Sequence, residues 1–207
     1  AKLYRRRLGD SPVELKIFAR ANRVRPSVIP ALRDLNITEV AIGFESGSHE
    51  ILERISKNAT PDDNMNAARL LFSEGIDTVV SYVLGLPGED NVSLNATLDQ
   101  AREIRRLAME HLGRPPQEII ANIIEINPGA PAFRDLVRAL PGKYRNRDLL
   151  DVKETQDDYF RVTFGLADDA EVEAFRHRLA AYGSRINELG SYSYRAGWTW
   201  EDVAHAV

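Results

Sequence analysis

Cysteine is absent from all 207 residues, so disulfides, thiolate nucleophiles and thiolate-held zinc or iron–sulfur centres are excluded within this chain. No apolar run reaches the length needed to span a bilayer, and the opening Ala1-Lys2-Leu3-Tyr4 lacks the apolar stretch of a secretory signal. The expectation is a cytoplasmic protein with no membrane partner. A strong excess of one charge is also missing: 27 Lys+Arg against 31 Asp+Glu leave a formal net charge of −4, which gives no footprint for a nucleic-acid backbone. The one basic run, Arg5-Arg6-Arg7, is too short for a binding arm and reads as a solvated helix end. His49, His111, His177 and His205 are scattered without metal-ligand spacing. There is no internal repeat or low-complexity tract.

What is present fits one compact domain or a large piece of a bigger one, with 43% hydrophobic and 28% charged residues. The chain does not begin with Met and opens inside what reads as a helical stretch, so the expectation is that it was cut from something longer. Short apolar runs alternate with amphipathic helical segments, the signature of βα units and a parallel sheet. The first run is Val13 to Ala19, followed by a helix with Ser27 as N-cap and Pro30 in its first turn. The second, Glu39 to Phe44, leads into Glu45-Ser46-Gly47-Ser48. Thr60-Pro61 then starts a helix with Met65, Ala68, Leu71 and Phe72 on one face. The third run, Thr78 to Leu84, ends in Gly85-Leu86-Pro87-Gly88-Glu89. A longer helix carries Leu94, Leu98, Ala101, Ile104 and Ala108 as far as Gly113. The fourth run, Glu118 to Ile126, ends in Asn127-Pro128-Gly129-Ala130-Pro131.

These four units predict an α/β fold, a partial (β/α) barrel with parallel strands amounting to half of an eightfold barrel. From Pro141 to Tyr159 charge dominates, which reads as a connection leaving the barrel. Asp168 with Glu171 opens a further helix whose apolar positions repeat as far as Leu189; fewer than three heptads, broken at Gly183, make it a docked helix and not a coiled coil. The aromatic tail of Tyr192, Tyr194, Trp198 and Trp200 is expected to pack on the barrel. The predicted division is therefore 1–140, half-barrel, and 141–207, connection, helix and tail.

In a parallel barrel the active site forms where the strands' C-terminal ends converge. The residues placed there are Arg20, Asn22 and Arg23 after the first run, Glu45, Ser46 and Ser48 after the second, Gly85 to Glu89 after the third, and Asn127 to Gly129 after the fourth. Such a set suits a polar ligand with several hydrogen-bonding groups: a carboxylate accepts from an ammonium or from ribose hydroxyls, and glycines let backbone approach a flat ring. Other readings stay open at this point. Gly85 and Gly88 can be turn glycines, Glu45 can cap the helix after it, and Glu89 can cap the helix following its Pro-Gly turn.

The string Ile42-Gly43-Phe44-Glu45-Ser46-Gly47-Ser48, then Ile51-Leu52 and Lys57, Gly75-Ile76, Val83 to Glu89 and Asn127 to Pro131, resembles the radical S-adenosylmethionine (SAM) superfamily. The closest flavour is the group that includes methylthiotransferases and cobalamin-dependent methyltransferases. The likeness runs in order from about Leu15 to Phe133. It implies the second half of a SAM barrel, in which Glu45 and Ser46 contact the ribose or amino-acid portion of SAM. Lys57, in the following helix, would lie near the SAM carboxylate, and Ser81 near the ribose. Gly85 and Pro87 belong to the motif packing near the adenine, Asn127 to the segment bordering it, and Arg20 would face the cavity.

The family's three-cysteine loop has no counterpart here. The resemblance therefore implies a 4Fe-4S cluster held by residues outside the chain, with an N-terminal half-barrel of the same protein as partner. Complete, such an enzyme would generate a 5′-deoxyadenosyl radical and modify a small-molecule or peptide substrate, with methyl transfer and cobalamin left open. The alternative is a degenerate, cluster-less barrel that binds SAM or a partner protein. Action on transfer RNA, as in methylthiotransferases, is disfavoured by the acidic balance.

Overall fold

The computed structural model describes residues 14–144 and 151–191. The Arg5–Arg7 run and the aromatic tail lie outside them. The strands β1 (Leu15–Ala19), β2 (Ile37–Glu45), β3 (Asp77–Leu84) and β4 (Glu118–Ile123) pair in parallel and in chain order. Parallel neighbours need crossovers. These are α1 (Ile29–Asp34) after β1, α2 (His49–Arg54) and α3 (Pro61–Ser73) after β2, and α4 (Asn91–Leu112) after β3. Beyond β4 come α5 (Pro131–Ala139), α6 (Pro141–Tyr144), α7 (Val152–Phe164) and α8 (Asp169–Asn187). The sheet does not close. The architecture is the expected one: an α/β partial barrel followed by a C-terminal helical extension.

The sheet has two unlike faces because its side chains alternate. Val40, Ile42 and Phe44 of β2 and Val80, Tyr82 and Leu84 of β3 are buried beneath the helices. Their alternates, Ala41, Gly43 and Glu45 and Val79, Ser81 and Val83, are only partly covered. Phe18, the register partner of Ala41, stands 91% exposed on that second face. On the covered face Phe44 meets Tyr82 edge-on with ring centroids 6.2 Å apart, and Leu71, Phe72, Leu98 and Ile104 complete the core from α3 and α4.

Helix boundaries follow their caps. Thr60 and Asp63 form a reciprocal capping box on α3, and Asp90 and Ser93 do the same on α4, which ends at a left-handed Gly113. The predicted cap at Ser27 is corrected. A single 3₁₀ turn over Pro26–Val28 encloses Ser27, and α1 begins only at Ile29, with Val28 as its uncapped N-cap. The stretch read as a connection is also corrected, because it holds α7, capped by Asp151, which accepts from Glu154 N at 2.7 Å. Lys153 lies outward and Asp158 is buried against Tyr144, while Tyr159 and Phe160 turn inward to a ring cluster with Phe164 and Phe175. Helix α8 runs unbroken through Gly183 and docks as expected. The glycine lets it lie against β4, where an added Cβ would sit 3.5 Å from Ala121 O.

The last turn of α8 meets the outer edge of β4. Asn187 Oδ1 accepts from Ala121 N at 2.6 Å, and Ser191 N donates to Pro116 O at 2.9 Å. An unpaired edge amide is costly once water is shut out. Asn187→Ala is therefore expected to destabilise the chain by about 1–2 kcal/mol, read from urea denaturation midpoints. A shift below the noise would mean that water already serves this edge.

Candidate functional site

The C-terminal ends of the strands carry the polar residues, and β2 ends in an unusual way. Ser46 N donates to Phe44 O at 2.8 Å, closing a three-residue turn with Glu45 at its centre at φ 63°. A residue with a Cβ is disfavoured there by about 1–2 kcal/mol. The turn shifts the β2–β3 register between Gly43 and Glu45 and lays the carboxylate back over Gly43. Lys57 reaches it from the far side of α2, its ammonium 2.6 Å from Glu45 Oε1, and both side chains remain 23% exposed. A short charge-assisted bond between half-buried groups is stable yet open to exchange with a charged ligand.

Lys57 was expected within a helix and instead follows α2. It sits in a loop where Ser56 at φ 54° and Asn58 at φ 55° reverse the chain twice. Asn22 Nδ2 donates to Asn58 O at 2.5 Å and ties that loop to the turn after β1. Ser81 is the register partner of Gly43, so it shares the open face on which Glu45 and Lys57 pair. Ser46 does not join them. It is fully buried toward α4, its hydroxyl 3.2 Å from Thr97 Oγ1. Arg20 is exposed at the end of β1, and Asn127 is exposed in the β4–α5 loop, where its carbonyl accepts from Ala130 N.

Gly85 and Pro87 lie at the end of β3, beside a cleft of about 590 Å³ lined by Ile55, Leu86, Pro87, Ile124, Pro131 and Tyr159, among others. Helix α7 closes one side, Tyr159 donating its hydroxyl proton to Gly85 O at 3.0 Å and Gln156 Nε2 donating to Ile124 O at 2.6 Å. Gly85, at φ 87°, could not carry a Cβ without crowding Leu179, Phe160 and Ile124 at 3.1–3.2 Å. The cleft and the Glu45–Lys57 pair occupy the same end of the sheet, but neither Glu45 nor Asn127 lines the cleft.

Glu89 is not the cap expected of it, since Asp90 takes that role. Its side chain folds back beneath the loop, accepting from Gly85 N at 2.5 Å, and its other oxygen is buried without a partner. Burial raises the carboxyl from 4.5 to about 7, against the lowering effect of the Gly85 and Leu86 N–H groups, with the Asp90 charge adding to the rise. Thr97 and Asn64, both wholly buried behind the Glu45 turn, were missed. The signal available was a polar residue at a helical position whose neighbours one turn away, such as Ala67, Ala68, Leu94 and Ala101, are apolar core.

An open parallel sheet whose strand-end loops carry the polar groups defines the class as a partial α/β barrel. Residues 1–101, just under half of the chain, match the family model of the radical SAM superfamily, and the sheet they contribute to is open and without cysteine. An uncharacterized methyltransferase of Pyrococcus horikoshii is 29% identical over 86 residues, 42% of this chain and 19% of that protein. The anaerobic magnesium-protoporphyrin IX monomethyl ester cyclase of Rubrivivax gelatinosus is 29% identical over 76 residues, 37% and 14% of the two chains. The chain thus matches less than a fifth of the length of these curated relatives. The fold is similar to that of the radical SAM methyltransferase TsrM from Kitasatospora setae, with a TM-score of 0.59 at 16% identity over 87% of this chain and 39% of that one. The cobalamin-dependent radical enzyme OxsB gives a TM-score of 0.53 at 16% identity over 86% and 34%. Among the described residues no helix is long and apolar enough to cross a membrane, and no group of His, Cys, Asp or Glu could hold a metal ion.

Proposed function

We infer that this chain is the SAM-binding part of a radical SAM enzyme. The observation that carries the reading is the Glu45–Lys57 pair, a carboxylate and an ammonium 2.6 Å apart and partly open to solvent, on a face shared with Ser81. Such a pair suits a zwitterion, Lys57 turning to a carboxylate and Glu45 to an ammonium or a ribose diol. Gly85, Pro87 and Asn127 would border the flat ring of the ligand, and Arg20 would approach from the β1 side. Residues 1–140 would supply these groups and 141–207 would back them with helices.

The residues present do not fit a 4Fe-4S cluster, since no thiolate is available. In this reading the ligands of the cluster come from residues outside this chain, in the N-terminal half of the same barrel. Bound and reduced there, SAM would supply a 5′-deoxyadenosyl radical to a small-molecule or peptide substrate. Methyl transfer and cobalamin accord with the named activities of the similar methyltransferases and of OxsB, at identities that carry only the fold. The lack of cysteine favours a second reading, a cluster-less barrel that binds SAM without reaction.

In the full-length protein without reductant, Glu45→Gln and Lys57→Ala are each expected to weaken SAM binding about 10–30-fold, roughly 1.4–2 kcal/mol, by calorimetric titration. Unchanged affinity in both would remove this site from the cofactor. Anaerobic iron–sulfur reconstitution of the same protein separates the two readings, because a cluster-less module stays colourless.

A further inference from the structure

We propose that Thr97 and Asn64 are positioning residues, which hold from the helix layer the turn that presents Glu45 to its ligand. The inference rests on the cofactor reading above and concerns residues that cannot touch the cofactor themselves. Thr97, Asn64 and Ser46 are each fully buried on the covered side of the sheet, whereas Glu45 and Lys57 lie on the open side.

A positive φ at a glutamate persists only where its surroundings over-determine it. The neighbouring groups supply that constraint from two helices. From α3, Asn64 Nδ2 donates to Phe44 O at 3.3 Å, on the same carbonyl that closes the turn with Ser46 N. Asn64 also donates to Gln100 Oε1 at 3.4 Å, and Gln100 in turn accepts from Tyr82 OH at 3.2 Å. From α4, Thr97 Oγ1 accepts from Gly47 N at 3.0 Å and donates to Ser93 O at 3.0 Å. With its proton committed to Ser93 O, Thr97 must accept from the Ser46 hydroxyl at 3.2 Å, and Ser46 Oγ in turn accepts from Ser48 N at 3.1 Å. The chain Ser48 N–H, Ser46 O–H, Thr97 O–H, Ser93 O therefore runs in one sense with every proton used.

These bonds grip Phe44, Ser46, Gly47 and Ser48, the residues on both sides of Glu45, and leave only the Glu45 side chain free to face the ligand. Ser46 thereby takes a different part from Glu45 in the same motif: it anchors the turn and Glu45 reads the ligand. Removing the Thr97 hydroxyl would let the turn relax toward ordinary extended backbone, which swings the carboxylate off Gly43 and away from Lys57.

The test is a double-mutant cycle on SAM affinity in the full-length protein without reductant. Thr97→Val is expected to weaken binding about tenfold alone and to add nothing to Glu45→Gln, while Thr97→Ser, which keeps the hydroxyl, should bind within twofold of the parent. Asn64→Ala, which leaves the Ser46–Thr97 chain intact, is expected to show the same dependence on Glu45 and serves if Thr97→Val does not fold. An unchanged affinity in Thr97→Val, or an equal loss with and without the Glu45 carboxylate, would overturn the positioning role alone. A Glu45→Gln protein that binds as the parent does would overturn the cofactor reading and this inference with it.

Discussion

Gly47→Ala is expected to lower the stability of this chain by about 3 kcal/mol, the upper range for a forced overpacking. The reason is close approach. A Cβ at position 47 would lie 2.7 Å from Ala96 C and Thr97 Cα and nearer still to Ala96 O, all of them backbone atoms of α4 that cannot rotate aside. Either the helix or the loop must move, and the loop carries the bonds to Thr97. Gly142→Ala is the natural control, since an added Cβ there meets nothing within 4 Å and the position is helical, where alanine is preferred. Urea denaturation should place Gly142→Ala at or slightly above the parent and Gly47→Ala far below it. Equal midpoints would show that the contact between loop and helix is looser than the packing indicates.

The second large effect belongs to Glu89 and depends on pH. Its carboxyl titrates at about 7 in the folded chain against 4.5 when exposed, because burial disfavours the charge. Below pH 4.5 both states hold the proton and the group contributes no difference. Between 4.5 and 7 the unfolded chain releases the proton while the folded chain keeps it, so stability falls as pH rises through this window. Above 7 the full cost remains, about 3 kcal/mol at most. Glu89→Gln keeps an acceptor for Gly85 N and has no charge to bury. Its stability relative to the parent should therefore improve by about 2–3 kcal/mol between pH 5 and pH 8, measured by denaturation at both. A difference that does not change with pH would mean that Glu89 ionises as an exposed carboxyl does.

The parts that could be read from the sequence were those governed by short-range periodicity. The apolar runs Glu39 to Phe44 and Thr78 to Leu84 set both strands, and Thr60-Pro61 and Asp168 marked helix starts through chemistry confined to four residues. Helix α7 escaped because its inward residues Tyr159 and Phe160 fall late, behind a polar first half in which Thr155, bonded back to Asp151 O, and Gln156, bonded across to Ile124 O, are buried without being hydrophobic. Ser27 was misassigned for a related reason: Pro26 begins a tight turn around it, and no side-chain rule registers that competition.

The candidate site followed the same division. Glu45, Gly85 and Asn127 could be placed at strand ends from the pattern alone, and Ser81, inside the third strand, entered only through the resemblance. That Lys57 would meet Glu45 could not be read from the pattern, because the meeting depends on left-handed backbone at both Ser56 and Asn58, and serine, unlike asparagine, gives no signal for it. Ser46 and Glu45 are adjacent in a recognised string, yet the turn at φ 63° sends them to opposite sides of the sheet.

The contact between the end of α8 and β4 has a directional consequence. With Asn187 occupying the Ala121 amide and Gly190 pressed against Ile119 N, the flank at Glu118–Ala121 offers no ladder to an incoming strand. Among the described residues the opposite edge, Leu15–Ala19, is the one left for a further strand to pair beside, so growth of this sheet is one-sided.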